Sequence, residues 1–274
     1  MKLGPWSFGR HNRELPVSEP SQMQSDHHFT WARASYRLAQ QTNDTERLQF
    51  MDLFERAEEQ RQISSDTALA LYERGRDIAL RLREQWWVLL FDHCRLQTLP
   101  GSKRESAERI DLAVRTVLEA RKGIYARCPQ RVCVHEDLIA AYMSLDPHGY
   151  KPLINESLSY MEGQVTPTVE CYYCLRRMQS DFALETASIE QAQAAALRQL
   201  AEIQNRYADP SRNHYLVSAY ARLCAVAFKQ EDWKSLYGWE TAGEDAAMAV
   251  PGQRRARATL TARCALAARR LGSE

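Results

Sequence analysis

Cys171-Tyr172-Tyr173-Cys174 puts two thiols at a spacing that, as thiolates, can ligate zinc, and Cys128 and Cys133, one helix pair earlier, would complete a four-sulfur site. Zinc needs all four sulfurs to converge. Such motifs sit on turns, whereas here one pair falls inside an expected helix and the other is split across a proline-containing loop. Plain packing is the reading that follows, because a free cysteine behaves as a small buried hydrophobe. Asp92-His93-Cys94 holds the residue types of a thiol nucleophile and its base. Consecutive helical positions point ~100° apart, so these side chains cannot face one another as a dyad needs, and His93 reads as a half-buried helix residue. His27-His28 reads as a solvated helix start. The chain has no Gly-rich phosphate loop, no His-Glu-x-x-His and no acidic pair between Gly turns. The expectation is a non-enzymatic protein with no catalytic residue, no metal and no cofactor.

Two other constellations fit binding rather than chemistry. Trp87 and Phe91 stand four apart on a helix and so share a face, with Glu84 and Arg95 beside them. Two rings one turn apart with a polar rim suit a groove for an apolar peptide anchor, and the alternative is that they pack under the N-terminal helices. The expected contact residues are Trp87, Phe91 and Arg95, followed by arginines of the last helix, Arg255, Arg263 and Arg270. That arginine face is either a solvated cap or a dock for an acidic partner. Nucleic acid fits it poorly, since no aromatic residues interleave the arginines as a single-strand platform requires.

These residues must be positioned by helices. Ser65–Leu99 carries a polar cap signal at Ser65/Asp66, then Leu69, Tyr72, Arg76, Ala79 and Leu80 at three- and four-residue spacing, then an apolar segment opened by Trp86. The stretch predicts a helix, a tight turn near Arg83–Glu84 and a second helix. Neither can bury its apolar stripe alone, so each needs neighbours stacked on both sides. Ala68, Tyr72 and Gly75, with Trp86 opening the next helix, resemble the small–aromatic–small pattern of the tetratricopeptide repeat, and Ala113, Val117 and Ala120 are a weaker echo. Later helix pairs begin near Arg131, Cys171, Asn213 and Gly252, about 40 residues apart against ~34 for the standard repeat. The resemblance implies an all-α, right-handed superhelical array of antiparallel helix pairs. It implies also a scaffold or regulatory subunit that binds another protein or a peptide. A ligand-sensing or nucleic-acid-associated regulator acting through another chain is the alternative.

The composition agrees with this class. A net charge of +1 over 274 residues gives no bulk attraction to nucleic acid or an anionic membrane. The longest apolar run, Trp86–Phe91, is far shorter than the ~20 residues of a membrane span, and the N-terminus lacks an apolar signal-peptide core. Seven scattered cysteines fit reduced thiols and a cytoplasmic location. A homo-oligomer stays open.

Residues 1–25, with Pro5, Pro16, Pro20, Gly4 and Gly9, read as an irregular arm in which Trp6 and Phe8 either pack on the first helices or serve a partner; 26–274 form one helical-repeat domain. Within it, periodicity predicts helices over Asp26–Gln41, a second from Asn43/Asp44, a long one reaching about Gly123, short ones at His135–Leu145 and Leu153–Met161 where the array either bends or changes register, then Val169–Leu184, Ile189–Tyr207, His214–Phe228, Trp233–Met248 and Arg254–Leu271.

Overall fold

The structure, a computed structural model, describes residues 30–61, 63–99, 103–165, 171–206, 212–249 and 268–272. Among these the regular elements are helical and no strand occurs. In chain order they are α1 (Thr30–Gln41), α2 (Thr45–Gln60), α3 (Ser65–Arg81), α4 (Gln85–Thr98), α5 (Lys103–Ala120), a 3-10 turn (Gly123–Tyr125), α6 (Gln130–Leu145), α7 (Lys151–Gln164), α8 (Cys171–Thr186), α9 (Ile189–Arg206), α10 (Arg212–Lys229) and α11 (Trp233–Met248). The chain divides into two compact units, Met1–Cys171 and Tyr172–Glu274.

Local chemistry starts and stops these helices. Asp44, Ser64 and Asp232 cap α2, α3 and α11, each side chain accepting the backbone N–H three residues on, from Arg47, Thr67 and Ser235. Asp66 in the first turn of α3 and Arg81 in its last complement the helix dipole.

Three hairpins, α1–α2, α3–α4 and α10–α11, close with the same turn. Asn43, Arg83 and Glu231 lie in the left-handed region at φ 50°, 60° and 56°. The next residue in each, Asp44, Glu84 and Asp232, sends its N–H back to Ala39, Ala79 and Ala227, every time at 2.9 Å. Asn43, Arg83 and Glu231 themselves donate to the carbonyls of Gln40, Leu80 and Phe228. This is a Schellman closure built without glycine, its free helix-end carbonyls satisfied by the incoming chain. The three alanines are buried, so the turn pattern is a buried alanine, three residues, a left-handed residue and an acid. Arg47 ties two of these turns together: Nε and Nη2 meet Glu84, each at 2.7 Å, while Nη1 and the backbone N–H hold Asp44.

In the first unit α2 packs on α3, α3 on α4, α5 on α6 and α6 on α7, and α4 also reaches α6. Gln85, Arg95 and Gln97 excepted, every side chain of α4 is buried, as expected of a helix that is apolar on nearly all sides. In the second unit α9 packs on α10 and α10 on α11. Arg176 to Glu202 (3.1 Å) joins α8 to α9, and Arg222 to Asp181 (2.6 Å) joins α10 to α8. On α9 the residues in helical phase, Ala192, Ala196, Leu200 and Ile203, are buried.

Two expected helices are longer than the periodicity indicated. The helix predicted to start at His135 starts at Gln130, because Pro129 at φ −58° and ψ −36° begins a helix as readily as it makes a turn. The helix read as Leu153–Met161 runs over Lys151–Gln164 with Pro152 in its first turn. The arm with Trp6 and Phe8, His27 and His28, the first residues of the helix begun at Asp26, and Arg254–Arg263 with most of the last helix lie outside the described residues.

Candidate functional site

The types that suggested a nucleophile and base do meet polar partners, though not each other. Asp92, His93 and Cys94 leave α4 toward three different neighbours. Asp92 accepts from Arg76 Nε on α3 at 2.6 Å and from Arg95 Nη1 at 3.0 Å. His93 Nδ1 meets Asp137 Oδ2 on α6 at 2.6 Å, with both side chains 2% exposed. The Cys94 thiol, wholly enclosed, is pushed well above its ordinary pKa by burial and then by the Glu58 carboxylate on α2.

His93 and Asp137 belong to a longer relay. Arg61 donates to Gln97 Oε1 at 2.7 Å, which turns the Gln97 amide N–H toward His93 Nε2 at 3.2 Å. His93 Nε2 is therefore an acceptor, and Nδ1 carries the proton that it donates to Asp137. At the other end Arg61 pairs with Glu58 at 3.7 Å, and Glu58 accepts from the Tyr72 hydroxyl. Burial, reinforced by Glu58, raises the Tyr72 pKa far above its ordinary value. The relay thus crosses from α6 through α4 to α2 and α3, every member engaged. Chemically it is an imidazole held between a carboxylate and an amide inside the core, a specification device rather than an open nucleophile.

Beside the relay lies an aromatic cluster. Trp87 of α4 packs edge-on against Phe50 (5.3 Å) and Phe54 (5.6 Å) of α2, and Phe91 meets Phe54 at 5.8 Å and Tyr72 at 6.4 Å. Trp31 of α1 closes it, its ring 5.5 Å from Trp86 and 5.4 Å from Trp87, its indole N–H donated to Gln130 of α6 at 2.7 Å.

This corrects the expected groove. Trp87 is 2% exposed and Phe91 0%, so neither ring faces a partner; both lie in the core under α1 and α2. The reason is that α4 is buried all round, so the face carrying Trp87 and Phe91 meets α1 and α2 instead of solvent. Arg95, 20% exposed, spans Asp92 and Glu73. Arg270 lies over the ring of Trp233 at 5.4 Å, while Arg255 and Arg263 fall outside the described residues.

No family model, curated protein or solved structure matches this chain. The site is therefore read from its own geometry. Among the described residues no three His, Cys, Asp or Glu side chains gather as a metal site, and no helix is long and apolar enough to cross a membrane.

Sequence reasoning missed three features. His93 and Asp137 are 44 residues apart and no local pattern joins them. His135, buried on α6, stacks on Tyr160 of α7 with ring centroids 4.1 Å apart, and among the described residues neither ring nitrogen has a hydrogen-bond partner. Burial, then the charges of Arg121 and Arg131, lower its pKa to about 4. The third is a set of rings in the second unit: Phe228 is 47% and Tyr237 45% exposed, and Trp233, half-buried, stands 5.9 Å from Phe228. The signal for this set was present in sequence, since Trp233 and Tyr237 are four apart on α11.

Proposed function

We propose that the chain is a non-enzymatic protein- or peptide-binding module, its hairpins stacked in a right-handed tetratricopeptide-like array, serving in the cytoplasm as a scaffold or regulatory subunit. The recurrent hairpin closure and the packing of helices on their chain neighbours support a repeat reading. The observation that carries the binding role is the surface set Phe228, Trp233 and Tyr237 with Arg270 over Trp233. Aromatic residues and arginine are the types enriched where proteins meet, and large rings left at the surface mark such places. The enclosure of the His93 imidazole and, beside the relay, of the Cys94 thiol supports a non-catalytic reading.

The test is capture of a partner by tagged full-length protein beside a Phe228→Ser/Tyr237→Ser variant of unchanged melting temperature. A stoichiometric partner held by the wild type and lost by the variant is the expected result. Retention by both, or by neither, overturns the assignment of this surface. A salt series on the captured complex separates the classes, since an apolar contact persists while binding to nucleic acid weakens steeply.

A further inference from the structure

The inner side of α11 packs on α10, with Leu236, Gly243 and Ala247 among its buried residues. Its outer side carries Lys234, Tyr237, Gly238, Thr241, Asp245 and Met248, all exposed, and at ~100° per residue these fall on one face about 100° wide. Tyr237 is 45% and Met248 67% exposed. Gly238 stands in the middle of this face, where glycine costs a helix about 0.5–1 kcal/mol relative to alanine. A β-carbon there would meet no atom beyond its own stretch of helix within 4 Å, so no contact inside the chain calls for the glycine. What a missing side chain permits at such a place is close approach by another backbone.

The charges point to which backbone. Lys234 lies in the first turn of α11 and Asp245 in the last, each at the end of the helix dipole that disfavours it, and α11 has no acid in its first turn and no base in its last. Beside an antiparallel copy of the same helix the mismatch becomes a match. The order of residues is also self-complementary. The point midway between Lys234 and Asp245 is midway between Gly238 and Thr241, so a two-fold axis there sets Lys234 opposite Asp245, Gly238 opposite Thr241 and Tyr237 opposite the small Ala242.

We propose that a second copy of this chain docks on this face, the two α11 helices lying antiparallel about a two-fold axis between Gly238 and Thr241, with a Lys234–Asp245 pair at each end. The Thr241 hydroxyl already donates to the Tyr237 carbonyl at 2.9 Å, so covering it leaves that donor satisfied. One helix face is small beside a standard interface of ~1,600 Å², so the dimer forms and dissociates with concentration. The inference rests on the reading of Tyr237 as part of a binding surface and names the occupant.

The test is sedimentation equilibrium of purified full-length protein, with no other component, across the micromolar range. The wild type should pass from monomer toward dimer as concentration rises. Lys234→Glu alone and Asp245→Lys alone each turn two attractive pairs into two repulsive ones and should weaken the dimer roughly tenfold or more, and Lys234→Glu/Asp245→Lys should restore it. Both reversals suit the dipole of α11 itself, so neither should lower the melting temperature. Gly238→Gln has open space in the single chain and should melt at or above the wild-type temperature while losing the dimer. A wild type monomeric throughout overturns the proposal, and that series needs no variant to fold. So does a dimer indifferent to the single reversals, not restored by the double one, or unchanged by Gly238→Gln. A monomer that still captures another protein through Phe228 and Tyr237 overturns the second copy and leaves the binding surface standing, whereas a charge-swapped dimer that captures nothing else upholds the second copy as its occupant.

Discussion

Gly75 of α3 lies so close to the Phe91 ring of α4 that a β-carbon there would stand 2.5 Å from Cζ. Phe91 is fully enclosed by Phe50, Phe54, Tyr72 and Trp87, so the ring has nowhere to go. Alanine in mid-helix would ordinarily gain about 0.5–1 kcal/mol over glycine, but overpacking costs about 1–3 kcal/mol. Gly75→Ala should lose about 1–2 kcal/mol in urea denaturation. Stability equal to or above wild type would mean that the ring can shift after all.

His135 should make the protein sensitive to mild acid. Its folded pKa of about 4 lies below the ordinary 6.5, so the unfolded chain binds the proton that the native ring refuses. Stability is then full above about pH 6.5 and declines as pH falls toward 4, by up to about 3 kcal/mol, beyond which this group adds no further slope. His135→Phe keeps the stack on Tyr160 and removes this part of the profile. Denaturation midpoints across that range check it, and parallel wild-type and variant curves would refute the assignment.

Removing one partner of the His93–Asp137 pair should cost more than removing both. Asp137→Ala leaves a buried imidazole N–H without an acceptor and should destabilise by about 2–4 kcal/mol. His93→Leu/Asp137→Leu should recover much of that loss. A double-mutant cycle in urea measures the coupling, and additive single effects would mean that the contact contributes nothing of its own.

Arg83 and Glu231 hold a left-handed conformation that glycine adopts without steric cost. Arg83→Gly and Glu231→Gly should each raise stability by about 0.5–1 kcal/mol, with Asn43→Gly gaining less because asparagine tolerates this region. Thermal melts of the three variants give the ranking; equal gains at all three positions would contradict it.

Much of the secondary structure was legible because capping and periodicity act locally. Asp44 starts α2 where the sequence placed it, the cap signal read at Ser65/Asp66 lies one residue past the observed cap Ser64, and Trp233–Met248 was read to its ends. The start of α6 was not, since Pro129 suits a turn and a first helical turn alike. The site was less legible. Spacing correctly separates Asp92, His93 and Cys94 around α4, but the identity of their partners depends on which helices lie alongside. Trp87 and Phe91 share a face as their spacing requires, yet exposure belongs to the tertiary fold, and α1 and α2 cover them. The common hairpin closure was written in Ala39-to-Asp44, Ala79-to-Glu84 and Ala227-to-Asp232, but without glycine at the left-handed position it carried no familiar mark.

The contact of Trp31 with Trp86 and Trp87 gives the molecule an optical gauge. Three indoles on two helices, with Trp31 edge to face at 5.5 Å from Trp86 and 5.4 Å from Trp87, should couple their strong far-ultraviolet transitions into a paired circular-dichroism band that depends on their mutual angles. Trp86 and Trp87 are neighbours on one helix, so the angles that α1 sets are those of Trp31 to each of them. A change confined to that band therefore reports the placement of the first helix against α4, without a label, in the same cuvette in which any binding is followed.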